Sequence, residues 1–277
     1  MDRCRLKNII ILILVLVNGF LLASLAQRRG AEQDSFRRTA EQLVALFQAD
    51  GMTLDPGAIS RDAPPDGVTL SRDTAQEEQA AAFLLGDSLS ASDQGGGIFH
   101  YAGPGGEALF RSSGGFEASG VLAEGDAESF CRDFCRTFSY ETPDIRLDGE
   151  GSGVFSAAGV YGKLPVFNCL VTFTIEDGVL TSVSGTLLPR TGGAALSESQ
   201  PLSAAGALVA FQRMRRESAV VASTVTDARL CYELQTSNAS MSLSPAWRIV
   251  TDTEDYYVNA DTGAVTAGGA RTGEGGA

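Results

Sequence analysis

The stretch LPVFNCLVTFTIEDGVLTSVSGTLL, residues 164–188, decides the fold class. β-Branched and aromatic residues fill both of its halves. Glu176-Asp177-Gly178 separates them, and an acidic residue followed by glycine at such a point is a strong hairpin signal. Upstream, Asp126 stands before AESFCRDFCRTFSY (127–140). There Phe130, Phe134 and Phe138 recur every four residues and make one packing face of a helix. A helix followed by antiparallel strands excludes an alternating parallel design and points to an α+β fold.

The same plan returns downstream. Residues 203–216 read as a helix with Ala204, Leu208 and Phe211 on one face, and Arg213, Arg215 and Arg216 complement the dipole at its end. Strands follow at 228–234, 245–251 and 256–259, and the glycine-rich end after Ala267 is expected to be disordered. The helix-plus-antiparallel-strand unit thus occurs at 126–188 and 203–260, as a pattern rather than a sequence identity. Upstream, SFRRTAEQLVALFQAD (35–50) places Phe36, Ala40, Leu43, Val44 and Phe47 at helical spacing, with Gly51 as its stop. A short strand is expected at 67–70, and a glycine-rich region at 94–120 is expected to hold strands near 98–101 and 108–111.

At the other end, NIIILILVLVNGFLLASLA (8–26) carries no charge. About 19 residues of helix span roughly 28 Å, close to the thickness of a bilayer's hydrocarbon core. Two readings stand: an uncleaved anchor, favoured by length, and a signal peptide cleaved after Ser24-Leu25-Ala26. Every acid but Asp2 lies beyond residue 29, and the chain's formal charge is −13. A surface so acidic repels nucleic acid. The expected organisation is a cytoplasmic tail and transmembrane anchor (1–29), followed by an extracytoplasmic region (30–277). That region divides into an N-terminal α+β lobe (30–122), a middle helix-plus-hairpin unit (123–192), a C-terminal α+β unit (200–267) and a tail (268–277).

Chemistry is sparse. The chain has one histidine, His100. Residues 86–89 spell Gly-Asp-Ser-Leu, the tetrapeptide of the GDSL esterases, but the family's late Asp-x-x-His is missing, and a serine without a base is a poor nucleophile. Asp73, Gln76 and Gly86 instead mark a capping box and a C-terminal stop, so that Gly86 should end a helix starting near Thr74. Asp261-Thr262-Gly263-Ala264 resembles an aspartic-protease string and reads more simply as a tight turn. Asp252, Glu254 and Asp255 lack the ligand alternation of a calcium loop and read as a hairpin tip. Lys163 reads as a surface residue beside a hairpin, and Trp247 as a core anchor, with a partner contact as the alternative. Cys131, Cys135, Cys169 and Cys231 read as core thiols, at least one disulfide being the alternative; no Cys-x-x-Cys pair is present. No catalytic, cofactor or metal site is expected.

Two stretches resemble a known family. The opening MDRCRLKNIIILILVLVNGFLLASL is similar to the start of YycI-type regulatory proteins of Gram-positive bacteria, which carry one membrane helix with an asparagine in its second half, here Asn18. The stretch LSAAGALVAF…VTDARLCYEL…LSPAWRIVTDTEDYYVNADTGAV resembles that family's last lobe, and its PAW-x-I…YYVNADTG ending also resembles the PepSY-type module. The resemblance implies a non-enzymatic membrane protein. Its partners would be a sensor histidine kinase controlling cell-wall homeostasis and a YycH-type protein. Asn18, Gly19, Ala23 and Ser24 would form the contact face of the membrane helix, since small residues let helices approach and a lone asparagine seeks a polar partner. The alternative is an anchored PepSY-like module that binds a ligand or inhibits a peptidase.

Overall fold

A computed structural model describes residue 18 and residues 33–270, apart from 124, 191–192, 197–199, 219 and 238–239. In chain order the elements are α1 (33–49), β1 (Thr53–Leu54), a 3-10 turn at Pro56–Ala58, β2 (Gly67–Leu70) and α2 (Thr74–Leu85). Strands β3 (Ser90–Gly95), β4 (Ile98–Gly103), β5 (Gly106–Arg111) and β6 (Gly115–Ala123) follow, then α3 (Ala127–Thr137). Next come β7 (Gly153–Tyr161), β8 (Leu164–Glu176), β9 (Val179–Thr186) and β10 (Ala194–Leu196). The chain closes with α4 (Ala204–Ser218), β11 (Thr224–Thr236), β12 (Met241–Thr251), β13 (Glu254–Asn259) and β14 (Val265–Ala270).

This is a sheet-rich α+β fold with two cores. In the N-terminal lobe, strands run in the order β7-β8-β9-β6-β5-β4-β3, each antiparallel to its neighbour. Helices α2 and α3 share one core with this sheet. The phenylalanine stripe of α3 works as its spacing implies: Phe83 of α2 meets the rings of Phe130, Phe134 and Phe138 at 4.9, 5.7 and 5.8 Å between centroids. Asp177 and Gly178, both at positive φ (51° and 77°), close the β8–β9 hairpin, as a type I′ turn requires of both central residues.

In the C-terminal lobe, β11, β12, β13 and β14 form an antiparallel meander. Helices α1 and α4 and strand β1, which runs parallel to β11, share its core. Trp247 is fully buried there, and its Nε1 donates to the Leu202 carbonyl at 2.7 Å; it is a core anchor. The lobes meet along one continuous sheet. Strand β8 pairs with β9 through its second half and touches β11 in parallel at Val166 and Tyr232. The Asn168 side chain completes that seam, donating to the Leu234 carbonyl and accepting from the Leu234 N–H, both at 2.7 Å. An amide side chain here substitutes for a backbone partner that the diverging strands no longer supply.

The packing divides the chain differently from the linear expectation. The cut at residues 122 and 123 is not a core boundary, because β3–β6 and β7–β9 join in one sheet over one core. Helix α1, assigned by order to the N-terminal lobe, belongs to the C-terminal one: Leu43 and Phe47 pack with Leu208 and Phe211. The expected tail begins too early, since β14 pairs with β13 through Ala270. The expected membrane segment lies, Asn18 excepted, outside the described residues. Among the described residues no helix is long and apolar enough to cross a membrane.

Candidate functional site

The motifs suspected of chemistry resolve into structural parts. Helix α2 starts at Thr74, with Asp73 accepting from the Gln76 N–H, and ends at Gly86, whose φ of 92° suits glycine. Ser88 therefore follows a helix, not a strand, and is exposed. The reciprocal half of the capping box is replaced by a longer reach: the Gln76 side chain donates to the Leu188 carbonyl and accepts from the Arg190 N–H. It ties the start of α2 to the strand end 112 residues downstream. His100 sits on β4 and pairs with Glu107 at 3.1 Å.

The Asp261-Thr262-Gly263 string is a turn, organised by Asn259, whose Oδ1 accepts from the N–H groups of Asp261 and Thr262. The three acids of the β12–β13 turn point to separate tasks. Asp252 accepts from Ser223 and Thr224, Asp255 pairs with Arg248, and Glu254 accepts from the Tyr256 hydroxyl. Lys163 is exposed in the β7–β8 turn. Among the described residues, no group of three or more His, Cys, Asp or Glu converges to hold a metal ion. Cys131, Cys135, Cys169 and Cys231 are free and buried, and burial pushes each thiol up to about 12, far from the range of a reactive thiolate. Of the expected membrane face, Asn18 is helical and exposed; Gly19, Ala23 and Ser24 lie outside the described residues.

Sequence reasoning missed the groove between α1 and α4. The two helices run side by side in the same direction. At their C-terminal ends Asp50 is clamped: Arg216 donates to both carboxylate oxygens at 2.6 and 2.8 Å, and the buried Gln212 adds a third bond at 2.5 Å. The Arg216 hydrogen bond, assisted by its charge, holds the Asp50 carboxyl below the usual carboxylate range, although burial opposes it. At the N-terminal ends the helices leave a groove of about 630 Å³. Phe36 and Thr39 of α1, Ile59 and Arg61 of the following loop, and Ser203 and Ala205 at the start of α4 line it. The Arg61 guanidinium lies 4.3 Å from the centre of the Phe36 ring, a cation–π contact that places positive charge over an apolar floor. A cleft of this size and mixed lining is suited to holding a side chain or a helical turn of another molecule.

The sequence matches no protein-family model and no curated protein sequence. Among solved structures, the chain is similar to a protein from Eubacterium rectale of unassigned role (TM-score 0.43, 10% identity, covering 78% of this chain and 89% of that one). It is also similar to the C-terminal domain of YpeB from Bacillus megaterium (0.35, 12%, 72% and 98%) and to YycH from Bacillus subtilis (0.36, 12%, 76% and 55%). Likeness of this depth transfers no residue roles.

Proposed function

We propose that this chain is a membrane-anchored, non-enzymatic regulator. Its partners in this reading are a two-component sensor histidine kinase that controls cell-wall homeostasis and a YycH-type protein. One observation carries the reading. Helix α1 starts no more than seven residues after the apolar segment 8–26, a reach of at most about 25 Å, and Asp50 clamps its far end to α4. An event in the membrane segment would thus be passed to the C-terminal lobe through a clamped element, and the α1–α4 groove would open on the membrane side.

The sequence resemblance of roughly residues 1–50 and 200–265 supplies the choice of partners. The engagement of His100, Asp261 and the four thiols in a pair, a turn and core packing favours binding over turnover. Regulation in this form requires unequal affinity for two states of the kinase. Co-purification of the full chain with the kinase and the YycH-type protein is the test. The expected result is a ternary complex that is lost, along with control of kinase output, on deletion of residues 1–29. Unchanged kinase output after that deletion would sink the membrane-helix version, and pulldown of a peptidase or a cell-wall ligand by the soluble region alone would favour the PepSY-like alternative.

A further inference from the structure

A second recess lies on the face of the C-terminal sheet away from α1 and α4, and we propose that it binds the basic side chain of a partner polypeptide. It holds about 130 Å³ between β8, β11, β13 and β14, roughly the space of four water molecules and enough for the end of an arginine or lysine. One wall is apolar. Phe167 of β8 stacks on Tyr257 of β13, ring centroids 3.8 Å apart and planes within 10°. The methylene stem of a long basic side chain covers such a wall well.

The opposite wall carries the charge. Glu233 of β11 is partly buried and accepts one hydrogen bond, at 2.6 Å, from the Asn259 side-chain amide. Asn259 is itself fixed by the N–H groups of Asp261 and Thr262, so the carboxylate is held in place before any ligand arrives. Among the described residues no arginine or lysine forms a salt bridge with Glu233. The nearby Arg248 is committed to Asp255 through two bonds of 2.8 and 2.5 Å. A half-buried carboxylate with one neutral donor is poorly compensated, and an incoming cation corrects that. Gln235 and Thr266 line the rim and offer acceptors to the remaining ligand N–H groups. The formal charge of −13 draws basic segments toward the surface in general. The recess is independent of how residues 8–26 behave, so it stands or falls apart from the anchored-regulator reading.

The test is an NMR titration of the full chain in detergent micelles with acetyl-Gly-Arg-Gly-amide, and with versions carrying lysine or the neutral isostere citrulline. The arginine peptide is expected to shift the amides of Gln235, Asn259 and Thr262 in a saturable way, and the citrulline peptide to leave them in place. A lysine peptide that binds as well marks a charge-led site; weaker binding marks recognition of the planar guanidinium. Glu233→Gln keeps an acceptor for Asn259 and removes only the charge, so affinity should fall about ten- to a hundredfold, with native Trp247 fluorescence confirming the fold. Absence of shifts up to the peptide's solubility, equal binding of citrulline, or full binding by Glu233→Gln would each overturn the proposal.

Discussion

The two lobes assemble their cores from different ranges of the chain. In the N-terminal lobe, helices α2 and α3 cover strands that all lie between residues 90 and 186. In the C-terminal lobe, α4 and the β11–β14 meander are also local, but α1 and β1 arrive from the far end. The Asp50–Arg216 clamp spans 166 residues, and β1 inserts its two residues beside Thr224 and Val225. Closing such a loop costs chain entropy before any contact offsets it. The C-terminal lobe therefore completes its core only after the whole region has been made, while the N-terminal lobe needs nothing from beyond the junction except Tyr232, Leu234, Met241 and Leu243. One lobe is a local unit, and the other is a clasp between the two ends.

The largest test of that contrast removes one anchor from each core. Trp247→Ala and Phe134→Ala each delete a fully buried aromatic, at a cost of about 3–5 kcal/mol. Because Trp247 is the sole tryptophan, its fluorescence in Phe134→Ala reports the C-terminal lobe alone, while far-UV circular dichroism reports both. Urea curves from the two probes are expected to separate in Phe134→Ala, with dichroism falling first. Coincident curves would mean that the continuous sheet makes one cooperative unit.

Next in size is the seam. Asn168→Ala removes both bonds to Leu234 and leaves that residue's backbone groups without them, at about 1–3 kcal/mol for the pair. Its signature is a wider gap between the fluorescence and dichroism midpoints than in the wild type, because the change lies between the cores and not within either. A uniform shift of both midpoints would show that Asn168 belongs to one lobe.

Much of this was legible where a local rule suffices. β-Branched and aromatic runs around an acid–glycine turn located β8 and β9, the i, i+4 phenylalanines located α3, and Asp73 with Gly86 bounded α2. What escaped was set by neighbours. Strand β3, Ser-Ala-Ser-Asp-Gln-Gly, is exposed throughout and carries no inward side chains to pattern; only its ladder with β4 makes it a strand. In β14, glycine-rich composition read as disorder because the pairing with β13 that orders it is invisible in composition. The destination of α1 was hidden for the same reason: its apolar stripe says that it packs, not on what. Both clefts depend on such distant contacts, α1 against α4 and Phe167 of β8 against Tyr257 of β13, so neither could be found from spacing.

Acid should strain the clasp. The folded-state carboxyl of Asp50 titrates below its ordinary value of 3.8, chiefly through the Arg216 bond. Asp252 is also lowered: burial opposes this, but hydrogen bonds from the N–H groups of Thr224, Ser223 and Asp252 itself and from the Ser223 side chain together outweigh it. Depressed carboxyls contribute stability that is present above the ordinary value and is lost as pH falls through the folded one. The Trp247-reported urea midpoint should therefore fall below about pH 4, and Asp50→Asn should flatten that fall while lowering the midpoint at neutral pH. An unchanged slope in Asp50→Asn would remove the clamp from the account.

The finest comparison uses the cysteines as reporters. Cys131 and Cys135 lie in the N-terminal core, Cys169 lies on β8 near the seam, and Cys231 lies on β11. All four are buried with thiols raised to about 12, so at pH 8 labelling requires local opening and its rate measures how often each site opens. In the wild type all four should label slowly. With Asp50→Asn the clasp loosens but the N-terminal core does not, and Cys231 should label faster while Cys131 and Cys135 keep their rates. Equal acceleration at all four would show that opening spreads through the continuous sheet. In that case the lobes, though separately packed, open as one.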